Sequence, residues 1–190
     1  MQLSTHVARW QRTTAAVMAI ISAALWIYLF QSLANNPNPL SWYEQRTLAT
    51  GQFAFAVTLF IVQMIVLATL HQSLRSQINS TASRLLLLGL MGVYSINLIA
   101  GMMSVAARNN LIPSSIWLVS MIVAVILALI LGIYLALNKT SRWLRVSGLC
   151  FTLAIATALF FDWLTLVLIT AAFITLAVYF LKESARAEII

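Results

Sequence analysis

Apolar residues run along this chain in long blocks divided by short polar stretches, with none of the sustained two-residue alternation that marks half-buried strands. The blocks cover residues 14–34, 51–70, 85–107, 116–137, 146–161 and 163–181. A helix rising about 1.5 Å per residue needs about 20 apolar residues to cross the roughly 30 Å hydrocarbon core of a bilayer. The pattern therefore predicts an all-α, polytopic integral membrane protein, a six-transmembrane-helix bundle forming one domain over residues 1–190.

The block edges carry their own signals. Residues 1–13 form a polar leader with His6, Arg9, Trp10 and Arg12. The small residues Ser32, Leu33 and Ala34 look like a signal-peptidase site, but the apolar run before them exceeds the usual 7–15 residues. It is read as a retained first helix. Pro37, Pro39, Trp42 and Tyr43 predict a loop and an interfacial turn between the first two blocks. The stretch 146–181 would measure roughly 54 Å as one helix, too long for a bilayer, so it is divided at its single acid, Asp162. No glycine or proline marks that division.

Charge supplies the orientation. Arg9, Arg12, Arg75, Arg84, Lys139, Arg142, Arg145, Lys182 and Arg186 fall on one side of a six-span layout, and only Arg46 and Arg108 on the other. Basic residues favour the cytoplasmic side, so both termini are expected there, with the plasma (inner) membrane as the location. The Asn79-Ser80-Thr81 and Asn138-Lys139-Thr140 triplets fall on the same side and should carry no glycan. Three helix ends resemble one another, at Leu70–Arg75, Leu137–Arg142 and Leu181–Arg186. Three successive helical hairpins from one ancestral unit would explain this, but so would the common need for a snorkelling cation at a membrane exit. The unequal spacings favour the second explanation.

Composition supports the membrane reading. Of 190 residues 62% are hydrophobic and 8% charged, with a mean hydropathy of +0.96; soluble domains average about 25% charged residues. The net charge of +7 would raise nucleic acid as a partner in a soluble protein. Here the cations cluster at block ends, and Arg75, Arg84, Lys139, Arg142 and Arg145 are assigned to anionic lipid headgroups instead.

Catalytic chemistry has few candidates. The acids are Glu44, Asp162, Glu183 and Glu188, none at expected mid-membrane depth, which leaves no intramembrane carboxylate for ion coupling or acid–base catalysis. His6, His71 and Cys150 do not form a metal-ligand set, and no phosphate loop or nucleophile elbow is present. No enzyme activity, metal or cofactor is expected.

The clearest polar pattern lies between Arg84 and Arg108. Tyr94, Asn97, Gly101, Ser104 and Arg108 recur at steps of three and four and so share one helical face. On the preceding block Gln63 is the one buried amide, positioned to pair with Asn97 if the two helices run antiparallel. Gln63, Tyr94, Asn97, Ser104 and Arg108 are therefore the candidate polar lining or interhelical contact, with interhelical hydrogen bonding the simpler use. Ala15, Ala19 and Ala23 form a small-residue ladder on the first helix, and Thr165, Ala172, Thr175 and Tyr179 share a face of the last. The function expected from these features is a non-catalytic integral membrane subunit that anchors, packs with or regulates a protein partner or second copy. The alternative is a small channel or transporter for an uncharged or anionic solute, lined by the third helix.

Overall fold

The structure, a computed structural model, describes residues 9–34, 50–77, 81–106, 111–138, 141–158, 160 and 162–186. Among them are six helices and no strand: α1 (Arg9–Ala34), α2 (Thr50–Gln77), α3 (Thr81–Ala106), α4 (Leu111–Ala136), α5 (Arg142–Thr157) and α6 (Asp162–Arg186). Four stretches are long and apolar enough to cross a membrane, Val57–Leu74, Arg84–Gly101, Ser115–Ala136 and Trp163–Lys182. The described chain is thus a helical bundle of membrane-protein type. α1 is as long as α3, but Arg9, Gln11, Arg12 and Thr13 make its first turn polar.

Each helix packs on its neighbours in sequence, and α1 closes the circle by packing on α6, the most extensive contact in the bundle. The α1–α6 joint can be this close because α1 offers small side chains. Ala15, Ala16, Ala19, Ser22 and Ala23 are all buried. α6 supplies the bulk: Phe173, Leu176, Tyr179 and Phe180 are buried among the same core residues. In lipid, where hydrophobicity does not drive helices together, such close van der Waals packing is the main source of association.

Hydroxyls inside the helices have no water to turn to, so they bond locally. Thr58, Ser95, Thr152 and Thr175 each donate to the carbonyl four residues earlier, at 2.7, 2.9, 2.9 and 2.8 Å. This satisfies the hydroxyl at little cost to the helix ladder. Ser147 instead reaches across, donating from α5 to the Ala172 carbonyl on α6 at 2.9 Å.

The helix bounds differ from the sequence expectation in instructive places. α2 continues to Gln77 and α5 opens at Arg142, so the polar residues His71 and Arg142 belong to helices and not to connections. Pro113 falls within the first turn of α4, where a backbone N–H would have no helical partner and its absence costs nothing. The division of the last apolar stretch lies earlier than expected: α5 ends at Thr157 and Asp162 opens α6. A threonine stands at the end of α5. Thr157 Oγ1 bonds the Leu153 and Ala154 carbonyls at 2.9 and 3.2 Å and lies 3.1 Å from Thr165 Oγ1 on α6. Beyond it, tight i→i−3 backbone bonds from Ala158 to Ile155 and from Phe160 to Thr157 close the chain into a turn.

The α4–α5 joint rests on two glycines. A Cβ on Gly148 would lie 2.6 Å from the Gly132 carbonyl oxygen and 2.7 Å from the Leu135 carbonyl carbon, with the Ala136 nitrogen nearer still. A Cβ on Gly132 would stand 2.7 Å from Thr152 Oγ1. The two backbones touch there, an approach that only glycine permits.

Candidate functional site

The described members of the polar face expected on α3, Tyr94, Asn97 and Gly101, do not act as one surface. They part company at Asn97. The Asn97 amide Nδ2 donates to the Trp117 carbonyl on α4 at 3.1 Å and to Ser120 Oγ at 3.0 Å, while Ser120 Oγ itself bonds the Trp117 carbonyl at 2.9 Å. Gly101, one turn further, lies under the Trp117 indole: a Cβ there would be 3.3 Å from Trp117 Cδ1. Asn97 and Gly101 therefore build the α3–α4 joint. The expected Gln63–Asn97 pairing is not formed, because the short connection after α3 brings α4, not α2, against that side of the helix.

Tyr94 turns the other way. It and Gln63 line a cavity inside the ring of helices, with Val66, Leu67 and Leu70 of α2, Leu90 of α3, Ala128, Leu131, Gly132 and Leu135 of α4, Phe151 of α5, and Phe173 and Leu176 of α6. Five of the six helices contribute. The cavity volume is about 60 Å³. It is a slot, not a chamber. Part of its wall is aromatic: the Phe151 and Phe173 rings meet edge to face with centroids 5.2 Å apart.

The two polar side chains sit at one end of this slot. On α2 the lining runs from Gln63 to Leu70, and on α3 from Tyr94 to Leu90, each passing from polar to apolar toward the basic end of the bundle. An amide and a phenol can each both donate and accept a hydrogen bond. Among the described residues no charged side chain joins them in the lining.

The remaining candidates divide as follows. Ser104, Arg108, Arg75 and Lys139 lie outside the described side chains. Arg142 and Arg145 are exposed and Arg84 is half-buried, all at the end where α1, α3 and α5 begin. Arg145 Nε donates to the Asn138 carbonyl at 3.2 Å, which satisfies an acceptor just beyond the end of α4. Lys182 Nζ lies 4.7 Å from the Trp143 ring centroid, a cation–π contact between α6 and α5. Arg12, counted from sequence only as a topology signal, is 8% exposed and so belongs to the bundle's basic end from within.

Sequence reasoning missed the aromatic and aliphatic wall of the slot. Phe151, Phe173 and Leu131 read as ordinary apolar positions, since nothing in a one-dimensional pattern tells a cavity wall from a packed core. The available signal was the pair Gln63 and Tyr94, two polar groups in neighbouring apolar blocks. Among the described residues no cluster of His, Cys, Asp or Glu is placed to hold a metal. No protein family, curated protein or solved structure matches the chain.

Proposed function

We propose that this chain is a non-catalytic integral membrane subunit that crosses the plasma membrane six times, keeps both termini in the cytoplasm, and packs with or anchors a protein partner. Anionic headgroups meet its basic end through Arg84, Arg142 and Arg145. The supporting observation is α4. Between Ile116 and Ile126 it touches its own bundle along one strip, Trp117, Ser120 and Ala124, while the other side chains there are exposed. That bare half forms, with Val93 and Ile96 of α3, a groove of about 390 Å³ lined by Ile116, Val119, Ser120 and Val123. A row of β-branched side chains with a serine at its floor is suited to receive knobs from another apolar helix. The polar face of α3 supports the same reading, since Asn97 is used to hold α4 in place.

The test is cross-linking in native membranes. In a Cys150→Ala background, Val119→Cys should give one adduct of defined mass with a thiol-to-amine cross-linker. Ile174→Cys on the exposed face of α6 should give none. Equal reaction at both positions, or none at Val119, removes the proposal. A second reading, a channel or transporter for an uncharged or anionic solute, draws on the Gln63–Tyr94 cavity. Under the subunit reading Gln63→Leu leaves solute flux unchanged; under the channel reading, which runs through the cavity that Gln63 lines, it alters flux.

A further inference from the structure

We infer that the slot inside the helix ring is a binding site for a neutral amphiphile: a hydroxyl or carbonyl head held by Gln63 and Tyr94, and a thin apolar body lying between α2, α4, Phe151 and Phe173. This does not rest on the subunit reading, because the slot and the α3–α4 groove are separate features of the bundle.

Four properties of the slot select this class. Its lining is divided along its length, polar at the Gln63–Tyr94 end and aliphatic toward Leu70, Leu90, Leu135 and Leu176. Seven residues separate Gln63 from Leu70, a rise of roughly 10 Å, which is the length of an extended chain of about eight carbons. Its volume of about 60 Å³ is small, so the body is a single chain or a flat ring and not a bulky scaffold. The absence of charge from the lining selects against a carboxylate or ammonium head, whose burial without a partner is far costlier than that of an alcohol. The amide and the phenol, in a low-dielectric setting, gain from a head that hydrogen-bonds with them.

Photolabelling of the purified full chain tests this with a diazirine-bearing eight-carbon alkanol, the photoreactive group at the tail. The expected adducts lie on the peptides carrying Leu70, Leu90, Leu135 and Leu176. Unlabelled 1-octanol should compete and octanoate at pH 8 should not. Tyr94→Phe and Gln63→Leu should each weaken competition by octanol about three- to tenfold, the worth of one net hydrogen bond, and leave labelling by the corresponding diazirine alkane unchanged. Leu131→Trp, which fills the slot, should abolish both. Tyr94→Phe changes one atom, and the octanol–octanoate comparison uses the unaltered chain, so misfolding cannot mimic the result. Labelling confined to exposed positions such as Val119, or equal competition by octanol and octanoate, overturns the inference.

Discussion

At the scale of single residues, the bundle depends on places where a side chain must be missing. Gly148 is the sharpest. Its Cβ position is occupied by backbone of α4, which cannot rotate aside as a side chain can. Gly148→Ala should therefore lower stability by about 1–3 kcal/mol, the cost of overpacking, read as a fall in the thermal unfolding midpoint in detergent. Gly92 is the matched control. A Cβ there meets nothing within 4 Å, so Gly92→Ala should be neutral or slightly stabilising through helix propensity. Equal effects of the two substitutions would mean that the α4–α5 contact is not as close as described. Asn97 makes the complementary case of a side chain that must be present. Asn97→Leu removes both bonds to α4 and leaves the Ser120 hydroxyl with the Trp117 carbonyl alone. Interhelical bonds of this kind contribute about 0.6–2 kcal/mol, and unfolding of the variant should show a loss in that range. Asn97 could be picked out in the sequence because an amide in hydrocarbon demands a partner. Which partner it takes could not, since that depends on which neighbour the ring places beside it.

At the scale of elements, what the pattern predicted well are the helices whose apolar blocks end in cations or proline. Ends without such punctuation fall elsewhere than expected: α2 runs on to Gln77 and α5 stops at Thr157. Asp162, the only charged interruption of the last stretch, does open α6, but α5 ends before residue 161, at Thr157, whose hydroxyl bonds the Leu153 and Ala154 carbonyls and lies beside Thr165. A threonine in an apolar run has no distinctive one-dimensional signature, because the same residue at 58, 152 and 175 bonds back into an uninterrupted helix. The difference is the partner across the turn. A double-mutant cycle on Thr157→Val and Thr165→Val should then give a coupling energy of about 0.6–1.7 kcal/mol. The same cycle on Thr175 and Thr165 should give none, since Thr175 bonds only within its own helix. The alanine ladder of α1 was legible as a close-packing face, and its burial within the chain means that it serves the joint with α6 and is not exposed for an outside partner.

For the whole molecule, six helices packed on their neighbours in sequence alternate in direction, so α1 and α6 run oppositely and the described chain enters and leaves at the same end. That end carries Arg9, Arg12, Arg84, Arg142, Arg145 and Lys182. Under the proposed orientation, which sets this end against an anionic cytoplasmic leaflet, a field of like charge would both orient insertion and hold the bundle at the headgroups. Moving charge should therefore move topology. Single cysteines at Ser141, between α4 and α5, and at Phe160, between α5 and α6, are placed at opposite ends by the short turns that join those helices. In a Cys150→Ala background, an impermeant maleimide applied to intact cells should label Phe160→Cys and spare Ser141→Cys, and permeabilisation should expose the latter. Neutralising Arg142 and Arg145 while adding two lysines beside Phe160 should shift labelling of the α5–α6 turn downward in intact cells, because α5 and α6 form a hairpin short enough to be redirected by flanking charge. Labelling of both cysteines from outside, or indifference to the charge exchange, would leave six spans with cytoplasmic termini untenable. The hairpin is the right place to apply the test, since α5 at 16 residues spans roughly 24 Å, less than the hydrocarbon core, and depends on its flanking cations more than any longer helix in the ring.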